Sequence, residues 1–507
     1  MLTHRDTLRR CASSYGRRIA IVGDAGDEWT YAELDRVTDA LACGLAGLGL
    51  VPGERVMWLE RNCVEYLIAY FATAKAGLVF SPLNYWLRGP EMEGLIDLVQ
   101  PACLMAGAEY AEMLDGLAMP ASVRSRVAVS GKATGWMPWS ELLTTAGTID
   151  RVPNDEHAQH EIIFTSGTTG QAKGVCRSQR KRIIDSIMSA LAFEVTRNEH
   201  MVFFGPQFHI GGGSVPNQAL VQGGKATIIT FDTDRVGRAI ADGATYLIGV
   251  PAHYNLLFES GALDGVDTAS VRGCYVGGSV ATEKLFEGIT SHFPGTDLVH
   301  GYGSTESGPH TMALRGQEFL DHRGALGLPV PGNEVRVADP LGTDVPEGEV
   351  GELLVRSDTV MDHYLNRPDL TEAAFYADGW LRTGDLVSVD ADGYYRLAGR
   401  AKEMIISGGE NIYPKEIEDV LAEHDAIAEV AVIGIPDPLY EERAIAVVRL
   451  HAGQAATEDE LRAFVRARLA GFKTPREVRF IEEFPRTPVG KIAKDQLSKA
   501  HGSVFSA

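Results

Sequence analysis

The sequence predicts an α/β protein in which a large N-terminal domain of doubly wound sheets, including a small β-barrel-like unit, precedes a small α+β domain. Through the first part of the chain, short apolar runs alternate with helical patterns, which is typical of parallel sheets covered by helices on both faces. Residues 324–400 instead show short strands between glycine and proline turns, which indicates an antiparallel β unit. We therefore expect an N-terminal domain at 1–400 and a C-terminal domain at 401–507.

The first units of this alternation are predicted individually. Thr30 stands three residues before Glu33, so the two form a capping box at the start of a helix. A strand that ends at Leu59, a helix from Val64 and a strand at 78–81 follow. Because the carboxyl ends of parallel strands share one edge of a sheet, ligand-binding loops are expected at that edge.

The later elements follow the same reading. Strands are predicted near Arg126 and at 201–204, 225–231, 246–250, 275–279, 298–300, 334–338, 350–356, 429–435, 445–450 and 477–481. Helices are predicted at 181–193, 235–242 and 457–469, and from Thr282 and Pro414 onward.

Composition excludes several classes of protein. The chain has 507 residues and a formal net charge of −21, which disfavours nucleic-acid binding and recruitment to anionic membranes. Its six cysteines form no CxxC pair, so neither a zinc site nor a disulfide framework is indicated, and a cytoplasmic location is expected. The N-terminus has no apolar core for a signal peptide. The most apolar run, 64–80, carries Glu65 and Lys75 and predicts a buried helix and strand, so no transmembrane segment is expected.

The stretch 162–175 carries the strongest functional signal. A buried strand opens into small and hydroxylated residues and ends on Lys173, so backbone N–H groups, hydroxyls and one ammonium converge on an anion. The loop is not a Walker A motif, because Lys173 lies between Ala172 and Gly174. The alternative interpretation of this stretch is a flexible Ser/Thr/Gly linker, and the predicted strand before the loop argues against it.

Other strand ends repeat this theme. His209 follows the strand at 201–204 and is either a buried core histidine or a site residue. The segment 301–306 is predicted to turn at Gly-Tyr-Gly after its strand, and it supplies an aromatic ring for a base and a carboxylate, Glu306, for Mg²⁺. Asp385 suits ribose hydroxyls, although an Asp after Gly is more often a turn residue. Lys491 alone reads as a solvated surface charge.

Taken together, these residues resemble the adenylate-forming superfamily of acyl-CoA synthetases, luciferases and nonribosomal-peptide adenylation domains. Four motifs occur in the order of that family. They are 164–174, 301–306, 383–385 with 399–400, and 485–491. The resemblance covers nearly the whole chain and is closest to acyl-CoA synthetases. It implies that residues 1–400 bind ATP and acid and that 401–507 form a mobile domain.

The resemblance also implies residue roles in adenylate formation. The expected catalytic residues are Thr165, His209, Glu306 and Lys491, with Glu306 as the Mg²⁺ ligand and Lys491 at the reacting carboxylate and α-phosphate. Expected nucleotide contacts are Thr165, Ser166, Gly167, Thr168, Thr169, Lys173, Gly278, Ser279, Gly301, Tyr302, Gly303, Ser304, Thr305, Asp385, Arg400 and Lys491. His209, Gly277 and Gly303 are expected to face the acid. Adenylate formation mainly requires neutralisation of negative charge, because the carboxylate and the α-phosphate are both anions and must meet.

Thioester formation involves a second set of residues in the family. The small domain is expected to rotate about a hinge at Lys402, which withdraws Lys491 and presents another face to a pantetheine arm. The residues expected at CoA are Ser407, Gly408, Gly409, Glu410 and Lys473. The sequence departs from the family at Gln207, where an apolar residue is usual, and at 277–282, which lacks a proline after the paired glycines. Both departures lie near the acyl or adenine pocket, so they affect the expected acid rather than the ATP chemistry.

The function predicted is an ATP-dependent acid–CoA ligase acting on a fatty, alicyclic or aryl carboxylate, with ATP, Mg²⁺ and coenzyme A as cofactors. One alternative loads the acyl group onto a carrier protein, another is a non-catalytic nucleotide-binding homologue, and a third is an oxygenase of the luciferase type. Simultaneous presence of Glu306, Asp385, Arg400 and Lys491 argues against the non-catalytic alternative. A homodimer is left open as the assembly, and the identity of the acid is not predicted.

Overall fold

The chain folds into two compact units. The computed structural model describes residues 1–143, 147, 149, 152–165, 172–277, 283–407, 410–487 and 491–501. The first unit comprises Met1–Val335 and Val355–Leu381, and the second comprises Arg336–Leu354 and Arg382–Ala507. The domain boundary at 400 and the hinge at Lys402 stay predictions.

The described residues form the following strands in chain order. They are β1 (Ile19–Val22), β2 (Glu28–Thr30), β3 (Arg55–Leu59), β4 (Val79–Pro82), β5 (Cys103–Ala106), β6 (Ser125–Ala128), β7 (Met137–Pro138), β8 (Gln159–Thr165), β9 (Lys173–Ser178), β10 (His200–Phe203), β11 (Lys225–Ile228), β12 (Tyr246–Gly249), β13 (Gly273–Gly277), β14 (Asp297–Ser304), β15 (Gly308–Arg315), β16 (Ala325–Pro329), β17 (Glu334–Ala338), β18 (Gly351–Arg356), β19 (His363–Tyr364), β20 (Leu381–Val389), β21 (Tyr395–Arg400), β22 (Ile405–Ser407), β23 (Glu410–Ile412), β24 (Ile427–Asp437), β25 (Glu441–Leu450) and β26 (Glu477–Phe480).

The described residues also form helices. They are α1 (His4–Tyr15), α2 (Tyr31–Gly47), α3 (Val64–Lys75), α4 (Gly89–Val99), α5 (Ala108–Asp115), α6 (Trp139–Leu142), α7 (Gln179–Ala192), α8 (Gly211–Leu220), α9 (Thr233–Ala241), α10 (Pro251–Glu259), α11 (Glu283–His292), α12 (Gly316–Asp321), α13 (Pro368–Ala373), α14 (Pro414–Ala422), α15 (Glu458–Arg466) and α16 (Lys494–His501), with 3₁₀ turns at Ala401–Glu403 and Gly471–Lys473.

Two sheets build the first unit. One sheet has the strand order β19-β9-β8-β4-β3-β5-β6-β7, with β4, β3, β5 and β6 parallel. The other runs β16-β15-β14-β13-β12-β10-β11-β1-β2 and is parallel from β14 to β1. One apolar core contains Trp58 and Phe80 from the first sheet and Phe203 and Ile248 from the second, together with residues of α2 and α3. The predicted α/β class with doubly wound sheets is confirmed.

Local sequence signals explain several of these elements. The Thr30 side chain accepts a hydrogen bond from the Glu33 amide, and the Glu33 carboxylate accepts one from the Thr30 amide. The predicted capping box therefore starts α2. The predicted turn at Gly301-Tyr302-Gly303 is wrong, because β14 continues to Ser304 and pairs Tyr302 with Met312 of β15. The antiparallel partner supplies hydrogen bonds that keep this glycine-containing segment extended. The sequence did not predict helices α1, α4, α5, α6, α8, α10, α12, α13 and α16.

The second unit has two groups of strands. Strands β17, β18, β20 and β21 lie side by side, and β20 and β21 are antiparallel. A separate sheet has the order β23-β22-β25-β24, with β26 parallel to β25. Helices α14 and α15 pack on this sheet through Ile417, Leu421, Leu461 and Val465.

None of the helices in the described ranges combines the length and the apolar composition that a membrane-spanning segment needs.

A buried charge cluster joins α2 to α3. The fully buried Lys75 ammonium lies 2.6 Å from Asp35 Oδ1 and 2.8 Å from Asp39 Oδ1. Lys75→Met should lower the free energy of unfolding by about 3 kcal/mol, because Asp35 and Asp39 lose the buried ammonium between them and Asp39 keeps only Arg9, 3.5 Å away. Urea unfolding measures this loss. The control is Arg61→Met, whose pair with Glu109 is exposed on both sides and should change stability by at most about 1 kcal/mol. Equal effects of the two substitutions would contradict the assignment of Lys75 as a core ion pair.

Candidate active site

The predicted phosphate loop connects two paired strands. Strand β8 ends at Thr165 and β9 begins at Lys173, and these two residues face each other across the antiparallel ladder. Ser166, Gly167, Thr168 and Thr169 lie outside the described residues. The Lys173 ammonium lies over the ring of Tyr364, with Nζ 4.9 Å from the ring centroid. The two strands therefore fix both ends of the loop.

Glu306 lies in the short connection between β14 and β15. The hydroxyls of Ser304 and Ser307 each accept from the other residue's amide, at 3.0 and 3.1 Å, which closes this connection. The Glu306 carboxylate Oε1 accepts from the hydroxyl of Tyr364 at 2.9 Å, and its carbonyl accepts from the amide of Met361 at 2.8 Å. Glu306 is thereby held through both its side chain and its main chain.

Tyr364 is a site residue that the sequence reading missed. It contacts both Lys173 and Glu306, and it lies in a loop-rich stretch where no periodic pattern or motif singled it out. Burial, with the neighbouring Glu306 carboxylate, raises the pKa of Tyr364, so its hydroxyl stays a neutral donor at physiological pH.

Arg177 is the second residue that was missed. Its side chain is fully buried, and its guanidinium donates to the carbonyl of Thr305 through Nε at 3.2 Å and through Nη2. A further N–H donates to the carbonyl of Thr359. Burial, with the nearby Arg182, lowers the pKa of Arg177 to about 10, so it is still a cation at neutral pH. Charged residues are rarely buried inside strands, and no motif signalled this one.

His209 lies in the connection between β10 and α8. It is half-buried, its ring centroid is 4.4 Å from that of Phe208, and the following residue Ile210 accepts from buried Arg182 at 3.0 Å. Gln207, one departure from the family pattern, is buried and accepts from the amide of Cys63 at 2.8 Å. Gln207 therefore ties this loop to the start of α3.

Glycines at the predicted acid-binding positions make room for neighbouring atoms. Gly277 and Gly301 are paired across β13 and β14. A Cβ on Gly277 would lie 2.6 Å from the Tyr275 ring, and a Cβ on Gly303 would lie 2.2 Å from the carbonyl oxygen of Gly308. Close packing requires glycine at both positions. The predicted nucleotide residues Gly278 and Ser279 lie outside the described part of the chain.

The second unit brings together three more predicted residues. Asp385 and Arg400 are cross-strand partners on β20 and β21, with Arg400 Nε 2.9 Å from Asp385 Oδ1. Partial desolvation by the surrounding chain and the charge of Arg400 lower the pKa of Lys491, while Asp385 and Glu403 act in the opposite direction. Lys491 keeps an exposed face despite this crowding. The charges of Asp385 and Arg400 thus act electrostatically on the Lys491 ammonium.

The predicted thiol face also belongs to the second unit. Ser407 pairs with Glu410 across β22 and β23, and the Gly408–Gly409 segment between them lies outside the described residues. Lys402 is exposed within the 3₁₀ turn Ala401–Glu403. Lys473 Nζ lies 2.6 Å from Glu416 Oε2, so its ammonium is paired in this structure.

The distribution of groups defines a class of protein. In one unit Lys173 and the Glu306 carboxylate contact the same tyrosine, and in the other Lys491 lies near an Asp–Arg pair. An enzyme that joins a carboxylate to the α-phosphate of ATP needs these charges, so the fold and the site define an adenylate-forming enzyme.

Comparisons with known proteins agree with this class. The family model of the AMP-binding enzyme matches residues 8–365, and that of the AMP-binding enzyme C-terminal domain matches residues 416–491. The indoleacetate–CoA ligase of Aromatoleum aromaticum is 34% identical over 476 residues, covering 92% of each protein. The feruloyl-CoA synthase of an Amycolatopsis species is 34% identical over 484 residues, covering 95% of this chain and 96% of that protein.

A solved structure shows the same architecture. The crystal structure of ATP-bound MatB from Rhodopseudomonas palustris superposes with a TM-score of 0.87 and 27% identity, covering 99% of this chain and all of that one. The chain belongs to the AMP-binding enzyme family. It is an AMP-forming acid–CoA ligase, with ATP and CoA as co-substrates and Mg²⁺ as the accompanying ion.

Proposed function

We propose that Lys491, Glu306, Thr165 and His209 carry the adenylation of the acid, with Lys491 at the carboxylate and the α-phosphate. The observation that supports this proposal is the electrostatic grouping of Lys491 with Asp385 and Arg400. Asp385 and Arg400 would hold the ribose, and that grouping would bring Lys491 to the α-phosphate end of the same nucleotide. Ser166 to Thr169 and Lys173 would bind the β- and γ-phosphates, and Gly301 to Thr305 would line the nucleotide.

The two half-reactions have defined bond changes. A carboxylate oxygen bonds to the α-phosphorus of ATP, and the bond to the β-phosphate oxygen breaks to release pyrophosphate. The thiol sulfur of CoA then bonds to the acyl carbon, its proton leaves to solvent, and AMP departs with one oxygen of the original carboxylate. The carboxylate is already ionised at neutral pH, so the first step needs cancelled charge rather than a general base.

Glu306 fits a Mg²⁺ ion that is bound largely by nucleotide phosphates. Among the described residues, no group of three or more His, Cys, Asp or Glu side chains forms a metal cage. Mg²⁺ prefers oxygen ligands and is usually held by one or two carboxylates plus substrate phosphates. When bound, the ion would neutralise phosphate charge, and Glu306 would orient it.

An aryl acid is the substrate class that we place first among fatty, alicyclic and aryl acids. The ring of Phe208, next to His209, lies 5.1 Å from the ring of Tyr85 and 5.3 Å from that of Trp86, measured between centroids. Such edge-to-face groups favour aromatic partners. Two relatives are named for indoleacetate and ferulate, which are aromatic acids.

A carboxylate panel tests this function. Purified protein is given ATP, Mg²⁺ and one acid at a time, and pyrophosphate release is measured with and without CoA. We expect aryl acids to give the fastest release and CoA to allow repeated turnover. Release with no dependence on the acid would contradict the proposal. Phosphopantetheine on a carrier protein is the alternative acceptor, and replacing CoA by such a protein in the same assay distinguishes the two.

Gly409 tests the proposed path of the thiol. Gly409→Leu should lower CoA-dependent turnover by at least about 100-fold while acid-dependent pyrophosphate release persists, because a side chain there would obstruct the pantetheine arm. The control is Gly94→Leu, since a Cβ on Gly94 of α4 meets no atom within 4 Å. CoA turnover equal to wild type in Gly409→Leu would place the thiol path elsewhere.

We further propose a cytoplasmic location and a homodimeric assembly. The sequence carries six scattered cysteines without a CxxC motif, which suits a reducing compartment. Fractionation of the native cell and light scattering of the purified protein measure the two properties.

A further inference from the structure

Tyr364 belongs to a short strand that lies along β9. Residues 363–364 form β19, and Tyr364 is paired with Val175 in antiparallel register. Lys173 and Arg177 lie two residues before and two residues after Val175, so all three share one face of β9. The tyrosine is therefore held next to the strand that leaves the phosphate loop.

The two ends of the Tyr364 side chain hold groups of opposite charge. Its ring face lies under the Lys173 ammonium, with Nζ 4.9 Å from the centroid, and its hydroxyl donates to Glu306 Oε1 at 2.9 Å. A cation over an aromatic face and a charge-assisted hydrogen bond are both favourable when shielded from water. Tyr364 is itself buried, with 7% of its surface exposed.

The ring also acts as a spacer. An ammonium and a carboxylate that approach each other directly form an ion pair, and each then loses part of its attraction for a substrate. With Lys173 on the ring face and Glu306 at the hydroxyl, both charges are fixed while separated by the aromatic ring. This separation would leave both charges available to a polyphosphate and its metal ion.

Arg177 supports the positions of Lys173 and Glu306 through hydrogen bonds to the main chain. Its guanidinium donates to the carbonyls of Thr305 and Thr359, two loops that border Glu306. Thr359 in turn donates from its hydroxyl to the carbonyl of Ser307 at 3.1 Å. The main chain on both sides of Glu306 is therefore tied to β9, the strand that carries Lys173.

We propose that Tyr364 is a positioning residue of the adenylation half-reaction, which orients the Glu306 carboxylate toward the metal ion and the Lys173 ammonium toward the phosphates. Arg177 fixes the main chain on which Glu306 is carried. This inference rests on the roles proposed above for Glu306 and Lys173.

The test compares Tyr364→Phe, Tyr364→Leu, Glu306→Gln and the wild type. Equilibrium binding of α,β-methylene-ATP, which cannot form an adenylate, is measured by calorimetry at increasing Mg²⁺ concentration. Tyr364→Phe removes only the hydrogen bond to Glu306 and should raise the Mg²⁺ concentration for half-maximal binding by about 10-fold. Tyr364→Leu also removes the ring under Lys173 and should in addition weaken nucleotide binding at saturating Mg²⁺.

Two controls separate positioning from loss of structure. Tyr254→Phe removes another buried tyrosine hydroxyl, which donates to the carbonyls of Leu247 and Tyr275, and its Mg²⁺ dependence should match the wild type. Thioester formation from a supplied acyl adenylate should stay within about two-fold of wild type in Tyr364→Phe, because that step makes no use of the β- and γ-phosphates.

The outcomes distinguish the role of Tyr364 from the role of Glu306. A changed Mg²⁺ dependence in Glu306→Gln but not in Tyr364→Phe overturns the inference and leaves the role of Glu306 intact. An unchanged dependence in both variants removes the proposed role of Glu306 and the inference with it. Equal losses in binding and in the supplied-adenylate step would show that Tyr364 acts only on stability, which also overturns it.

Discussion

Lys491→Ala is expected to lower acid-dependent pyrophosphate release by about 10²–10³-fold, by analogy with the removal of one donor from an oxyanion hole. Two anions must meet during adenylate formation, and the alanine variant lacks the mobile cation that offsets their repulsion. The same variant should form thioester from a supplied acyl adenylate at a rate close to wild type, because the phosphoryl transfer is already complete.

The control for this prediction is Lys499→Ala. Lys499 is an exposed lysine of α16 in the same unit, and its removal should leave both half-reactions unchanged. Equal losses of both half-reactions in Lys491→Ala would contradict the proposed division of labour.

The pH dependence of adenylation carries further information on Lys491. Partial desolvation and Arg400 lower the pKa of Lys491, and only the protonated lysine is a cation. As pH rises, the wild-type adenylation rate should therefore begin to fall at a lower pH than that at which an ordinary lysine loses its proton. The alanine variant should lose this alkaline limb of the profile.

Lys402→Pro is expected to reduce one half-reaction by orders of magnitude and the other much less. Lys402 lies in an exposed 3₁₀ turn between Arg400, which we propose binds ribose, and Ser407, which we propose lies along the thiol path. A few backbone dihedrals at such a junction can absorb a domain reorientation. Proline fixes φ of residue 402 near about −65° and restricts Ala401 as well, so one of the two states should be trapped.

The matched control is Lys402→Ala, which removes the side chain and leaves the backbone free. It should keep both half-reactions, and a thermal melt should show that the proline variant remains folded. Wild-type rates for both half-reactions in Lys402→Pro would show that the pivot lies elsewhere in the chain.

Residues at the ends of regular elements were the part of the site that sequence could predict. The Thr30–Glu33 capping box and the end of β8 at Thr165 follow from local chemistry, since hydroxyls and carboxylates satisfy helix termini and glycine-rich loops follow strands, whereas β9 from Lys173 was not predicted. The cross-strand pair Asp385–Arg400 was expected as two nucleotide contacts, but its mutual ion pair appears only once β20 and β21 are in register.

Long-range contacts were the part that sequence could not predict. Tyr364 is nearly 200 positions from Lys173 and 58 from Glu306, and only the pairing of β19 with β9 brings it to both. Arg177 looks like an ordinary strand residue until the carbonyls of Thr305 and Thr359 are placed around it. The strand conformation of Gly301-Tyr302-Gly303 depends on β15, a partner that no local propensity reveals.

The central claim is that the acid becomes an acyl adenylate before it meets the thiol, and oxygen labelling tests it most directly. An aryl acid labelled with ¹⁸O in both carboxylate oxygens is converted to its CoA thioester, and the nucleotide product is analysed by mass spectrometry. The account predicts AMP that carries one ¹⁸O atom, because one carboxylate oxygen stays on the α-phosphorus when the thiol displaces AMP from the acyl carbon. Unlabelled AMP, or ADP with labelled phosphate, would contradict it.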